Sequence, residues 1–209
     1  ALGITDEIND RHYVVIDGVD GRLHYADIGR VRPEALPEKG MIVSIEAARS
    51  QDEAKLHIRP RIQSYLAFEK LAEAEGVTWL DKELLAKSPT PMADQGFGAE
   101  IKTALNRRRQ WLISQGLGQL DGQALFQPSP KLFDSLRRRE YEHATQVLSK
   151  ELGMPHDSLM EGEQISGTYT KPVSLASGKY AIIQKAHEFT LVPWRPDMEP
   201  MRGKEITGT

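Results

Sequence analysis

The 209-residue chain contains no cysteine. That excludes a disulfide-stapled scaffold, cysteine-based zinc sites and a thiol nucleophile, and it predicts a reducing, cytoplasmic setting. Long apolar runs are missing, and so is a secretory leader, so no segment reads as a membrane span or an export signal. Six histidines (His12, His24, His57, His143, His156, His187) are scattered, with no His-x-His or His-Glu-x-x-His spacing among them, which gives no pattern for a metal centre. A Gly-x-Ser-x-Gly elbow, a phosphate-cradling glycine loop and a dinucleotide fingerprint are also absent. His24-Tyr25 beside Asp27 reads as ordinary strand and turn chemistry rather than a catalytic cluster. The expectation is a chain without an active site, cofactor, metal or small-molecule substrate. No initiator Met precedes the opening Ala-Leu-Gly, which predicts a piece excised from something longer.

What the chain does have is charge of one sign gathered in one place. Its formal net charge is −3. Yet from Ile101 up to Glu140 stand Lys102, Arg107, Arg108, Arg109, Lys131, Arg137, Arg138 and Arg139 against only Asp121 and Asp134. The local balance is +6 and the remainder carries −9. A concentrated cationic stretch in an acidic chain points to a nucleic-acid backbone or an acidic partner.

Hydrophobic periodicity divides the chain into three modules. Residues 1–60 read as β, with Tyr13-Val-Val-Ile16, Arg22-Leu-His-Tyr-Ala26, Gly40-Met-Ile-Val-Ser-Ile45 and Lys55-Leu-His-Ile58 as short strands separated by Asp-Gly and Pro signals. Residues 161–209 repeat that layout. Lys179–Ile183 stands where His12–Ile16 stood, Phe189–Val192 replaces the Leu23-His-Tyr strand, and Gly203–Thr207 follows Pro-rich chain as Gly40–Ser44 did, so the two read as a duplicated small β-barrel-like module. Residues 61–160 read as helical. A first helix is expected over Arg61–Glu75 and a second over Trp79–Ala86, with Thr78 as N-cap and Asp81 at the capping-box position. The basic helix from Gly98 to Gly116 follows. Two wing strands, Leu117–Leu120 and Gln123–Phe126, flank Asp121-Gly122, and a closing helix begins with Ser129 as N-cap and Pro130 at its first position. The predicted class is α+β, a central winged helix-turn-helix-like module flanked by the two β modules.

At 100° per residue the basic helix separates into faces. Ile101, Ala104, Leu105, Trp111 and Leu112 form an apolar stripe. The opposite face carries Lys102, Thr103, Asn106, Arg109 and Gln110, with Arg107 at its edge. Lys and Arg suit phosphates and guanine, and Asn and Gln can pair with adenine, so Lys102, Asn106, Arg107, Arg109 and Gln110, together with Arg137 and Arg138, are the candidate DNA contacts. A solvated helix face would look much the same from charge alone. Arg108 falls inside the apolar stripe and must be paired or snorkel. On the closing helix Leu132, Phe133, Leu136, Ala144 and Val147 define the apolar face and Glu140 lies within it, so an Arg108–Glu140 ion pair is expected.

Taken in order, several motifs resemble a known family. Tyr13-Val-Val-Ile-Asp-Gly-Val-Asp-Gly-Arg-Leu-His-Tyr25, Thr78-Trp-Leu-Asp81, Phe97-Gly-Ala-Glu100, Gln115-Gly-Leu117, Leu136-Arg-Arg-Arg-Glu140, Leu175-Ala-Ser-Gly178 and Phe189-Thr-Leu-Val-Pro-Trp-Arg-Pro196 look like the C-terminal region of bacterial relaxases. Relaxases are the mobilisation nucleases that feed DNA into type IV secretion during conjugation. The resemblance implies a non-catalytic region, because the family's nucleophilic Tyr and His-hydrophobe-His metal site have no counterpart here. Two roles follow from it: an accessory that binds DNA near the transfer origin, or a protein-interaction module recognised by the secretion machinery, such as its coupling protein. A folding scaffold with no ligand of its own is the third.

Overall fold

The computed structural model describes residues 2–6, 11–31, 36–49, 56–159 and 162–208. The fold is mixed α+β. An N-terminal meander pairs β1 (Leu2–Asp6), β2 (Arg11–Asp17) and β3 (Leu23–Gly29) in that spatial order, all antiparallel. Strand alternation sends His12, Val14, Ala26 and Ile28 inward, where all are buried. Register places Tyr13 opposite Ile4 and Asp27, and Val15 opposite Leu2 and Tyr25, so these residues share the outer face. β4 (Ile42–Arg49) and β5 (Leu56–Ser64) form a separate two-stranded ladder.

β5 corrects one expectation, since the helix forecast from Arg61 begins instead as strand. Ile62 pairs with Val43 and Ser64 with Ile42, and Ser64 then turns the chain by bonding both the N–H and the carbonyl of Leu66. Only a single 3-10 turn, Phe68–Lys70, follows. Helical spacing of Ile62, Leu66 and Leu71 was a weak local preference, and the ladder with β4 overrode it. Strand β5 therefore crosses the module boundary expected at residue 60.

Beyond it lie α1 (Trp79–Leu84), α2 (Gly96–Ser114), the hairpin β6 (Gly118–Leu120) and β7 (Phe126–Pro128), and α3 (Leu132–Leu152). The Thr78–Asp81 capping box at α1 is present in both directions. Helix α2 ends in a Schellman motif: Gly116, at φ +68, donates to Ile113 and Leu117 donates to Leu112. Leu112 and Leu117 are both buried in the core beneath it.

Three smaller expectations shift. Gln123–Leu125 lies in the wing's turn, because Leu120 pairs directly with Phe126. Ser129 is no N-cap, since α3 starts at Leu132 with Lys131 in the cap position and no side-chain cap bond. Val147 is half exposed, and Thr145 and Leu148 take its place on the buried side of α3.

The C-terminal sheet runs β10 (Phe189–Pro193), β9 (Gly178–Gln184), β8 (Ile165–Leu175), β11 (Glu205–Gly208). β8-β9-β10 is a meander like β1-β2-β3, but the modules diverge after it. β11 returns to the free edge of β8, whereas β4 leaves the first meander and pairs with β5.

Four apolar clusters hold these elements in a chain. The front half of α2 (Ile101, Ala104) packs with Ile42, Leu71 and Leu80. Its rear half (Leu112) meets Leu132 and Leu136 of α3 together with the wing's Leu117. The rear of α3 (Leu148) then meets Ile182, Phe189 and Leu191 of the C-terminal sheet. The fourth cluster, around Tyr169 and Ile183, fills the other face of that sheet. Each long helix thus spans two cores, and what remains of its surface is the charged face.

Candidate nucleic-acid interface

The candidate residues stand on α2 and α3 on either side of the β6–β7 hairpin. Asp121 shapes the hairpin's tip by accepting the N–H groups of Gln123 and Leu125 and the side-chain amide of Gln127. The Leu125 and Gln123 N–H groups and the Gln127 amide hold its carboxyl below the ordinary value.

On α2, Asn106, Arg107 and Gln110 are exposed, and Lys102 and Arg109 are partly covered. Lys102 is bound to Asp94 in the loop before the helix, and this contact holds the Asp94 carboxyl below its ordinary value. Arg107 reaches Glu73 at 2.8 Å. Arg109 has no carboxylate partner among the described residues; it donates to Asn106 Oδ1 at 2.7 Å, one helical turn back. That bond occupies the amide oxygen that would read a base edge.

On α3 the triplet divides. Arg137 and Arg138 are exposed and meet Asp134 at 3.4 Å and Glu142 at 4.0 Å along their own helix. They line a cleft of about 430 Å3 whose other wall includes Leu175, Ser177 and Tyr180. Arg139 reaches back instead to the end of α2, donating to Gln115 Oε1 at 3.1 Å and to its carbonyl at 3.4 Å. It ties α3 to the end of α2.

The forecast Arg108–Glu140 pair is replaced by two separate devices. Arg108 is wholly buried and bidentate to Asp81, Nε to Oδ1 at 2.8 Å and Nη2 to Oδ2 at 2.9 Å. Its remaining donors go to the carbonyls of Ala74 (2.6 Å) and Gly76 (2.8 Å), with a long contact to Ala72 (3.5 Å). The guanidinium also lies 4.5 Å from the ring centre of Trp111. One side chain therefore fixes the loop before α1, the start of α1 and the middle of α2. Glu140 accepts the N–H groups of Ala176 and Ser177 at the β8–β9 turn. Asp81, at the N3 position of α1, meets the guanidinium directly, while the Glu140 carboxylate is taken up by the backbone N–H groups of the β8–β9 turn. The two devices meet at Gly76, whose carbonyl faces Arg108 and whose missing side chain leaves room for the Glu140 carboxylate.

The sequence signalled Asp81 as a cap and Arg108 as a buried cation needing a partner. It carried no sign that they belong together, 27 residues apart. Arg139 was visible only as one of three consecutive arginines.

The whole chain matches, in two stretches covering residues 1–58 and 46–209, the model of a family described as a protein of unknown function, DUF3363. The chain belongs to the DUF3363 family. No curated protein and no solved structure matches it. Within this DUF3363 chain no helix of the described residues is long and apolar enough to cross a membrane, and no group of three or more His, Asp or Glu among them could hold a metal ion.

Proposed function

We propose that this DUF3363 chain is an accessory region of a conjugative relaxase that binds DNA near the transfer origin through the winged unit formed by α2, β6–β7 and α3. The observation that carries the reading is the order helix, hairpin, helix around one core, with arginines exposed on both helices and Arg139 bridging them. Most of these cations have carboxylate neighbours, but the partners are themselves exposed: the Arg107–Glu73 and Arg138–Glu142 pairs leave more than half of each side chain in solvent. Such pairs contribute about 0–1 kcal/mol, so a polyanion can take their place at small cost. Arg109 needs only to leave Asn106, which frees both groups for a base or phosphate.

The test is a titration of labelled origin-of-transfer duplex, and of the corresponding single strand, at two salt concentrations. Binding should weaken by an order of magnitude or more between about 50 and 200 mM salt if several phosphates are contacted. Arg107→Ala combined with Arg109→Ala should lower the salt slope by about one for each phosphate that is no longer neutralised. Absence of binding at low salt refutes the reading.

A second reading has its own observation. The outer face of the N-terminal meander exposes Leu2, Ile4, Leu23 and Tyr25 to between 42 and 76%, with the Tyr13 and Tyr25 rings stacked 5.1 Å apart. An uncovered apolar face of that kind suits contact with another protein, as expected of a module recognised by the secretion machinery or its coupling protein. Capture of the purified coupling ATPase, abolished by Leu23→Asp with Tyr25→Asp, tests it.

A further inference from the structure

A cleft of about 770 Å3 opens between β2–β3, β4 and α1, and none of the arginines of α2 or α3 lines it. Its walls combine two kinds of side chain. Ile16, Tyr25, Ile42, Ile45, Trp79 and Phe97 supply apolar and aromatic surface, while Asp17, Asp20 and Glu83 supply three carboxylates. No lysine or arginine lines it. Asp20 is held by His24 Nε2, at 2.9 and 3.1 Å to its two oxygens, and by the Arg22 N–H at 3.2 Å. The bond to His24 above all keeps its carboxyl below the ordinary value, so it stays charged through the neutral range. Glu83 is oriented by the N–H and hydroxyl of Thr90, both at 3.1 Å. The indole N–H of Trp79 donates to no group among the described residues. On one side the cleft is bordered by a sheet edge, since among the described residues β4 has β5 as its one ladder partner.

We infer that this cleft docks an extended cationic peptide segment of a partner protein. Asp17 and Glu83, which meet no cation among the described residues, stand beside aromatic faces and select an arginine or lysine side chain, by charge and by cation–π contact. The apolar walls take the side chains that alternate with it. A free strand edge and an unused indole donor offer the backbone hydrogen bonds of strand addition. The inference is independent of DNA binding by α2 and α3, because a polyanion is what this cleft would repel.

The test uses the full 209-residue chain and two labelled octapeptides, one alternating arginine with valine and one alternating glutamate with valine. Polarisation measures affinity, and amide and indole shift changes locate the site. The arginine peptide should bind saturably, shifting the Trp79 indole N–H and the backbone of His24–Ala26. Asp17→Lys with Glu83→Gln should weaken it about tenfold, roughly one exposed charge pair for each position, and circular dichroism of the variant should match that of the parent. Four results would each overturn the inference: equal binding of both peptides, shifts confined to other surfaces, an affinity unchanged in the folded variant, or free arginine binding as tightly as the peptide. Competition by single-stranded DNA that moves the same Trp79 and His24 signals would assign the cleft to nucleic acid instead.

Discussion

Replacing Asp81 with Asn removes the only carboxylate among the described residues that the buried Arg108 guanidinium touches. Both side chains are fully shielded from solvent, so neither screening nor water relieves the uncompensated cation. Breaking such a pair from one side costs about 3–5 kcal/mol, and a weakened capping box at Thr78 adds about 1 kcal/mol. Against a typical total of about 5–15 kcal/mol this is a large fraction. For a chain of this length 3–5 kcal/mol lowers Tm by roughly 6–20 °C. Arg108→Met should cost a similar amount, because it strands the Asp81 charge and the carbonyls of Ala74 and Gly76 together. Asp81→Asn with Arg108→Met deletes both charges, so its cost should fall below the sum of the singles by about 2 kcal/mol or more. Urea denaturation followed by circular dichroism measures all of these. Asp81→Asn costing under 1 kcal/mol, or singles that add within about 0.5 kcal/mol, would refute the reasoning.

Further measurements probe the neighbouring devices. Gly76→Ala should destabilise by about 2 kcal/mol or more, since an added Cβ would sit 2.2 Å from the Glu140 carboxyl carbon, a collision that must dislodge a hydrogen-bonded buried group; a neutral effect in urea would show that Glu140 is not anchored there. Gly98→Ala should be at least as costly, because its Cβ would meet the Val19 and Ala93 carbonyl oxygens at 2.6 Å, and the front of α2 would lift from both loops. His156 accepts from Tyr141 or donates to it at 3.0 Å, and burial lowers its pKa from the ordinary 6.5. The unfolded chain therefore binds a proton first, so the contribution of neutral His156 is complete above about pH 6.5 and is lost as pH falls toward the lower folded value. His156→Gln should flatten the stability profile in that window, and an unchanged profile would assign the dependence elsewhere. Asp121→Ala should loosen the wing, seen as faster amide exchange at Gln123 and Leu125, with α2 and α3 unaffected.

How much of this was legible in advance differs by element. The Thr78–Asp81 cap, the Gly116 stop and the inward stripe of α2 rest on contacts within a few residues, and local spacing carries that information. The first forecast helix failed where β4, some twenty residues earlier, claimed Ile62 and Ser64 for a ladder. The N-cap of α3 failed because the helix starts two residues later than Pro130 suggested, with Lys131 in the cap position.

The sequence by itself determined the class of the protein. Periodicity and turn residues specify strands at both ends and helices between, and the clustered arginines mark α2 and α3 as the charged surface. It also determined that Arg108 must lie inside with a partner, because its position in the stripe is a matter of helical angle alone. Only the tertiary structure decided who that partner is. Asp81 and Glu140 are both acidic and both buried, and the choice between them depends on how α1 and α3 cross α2, which no local rule encodes. The same packing split the three consecutive arginines of each helix into different roles. Arg108 became a core fastener and Arg139 a strut beneath the wing, and Arg107, Arg109, Arg137 and Arg138 remained at the surface.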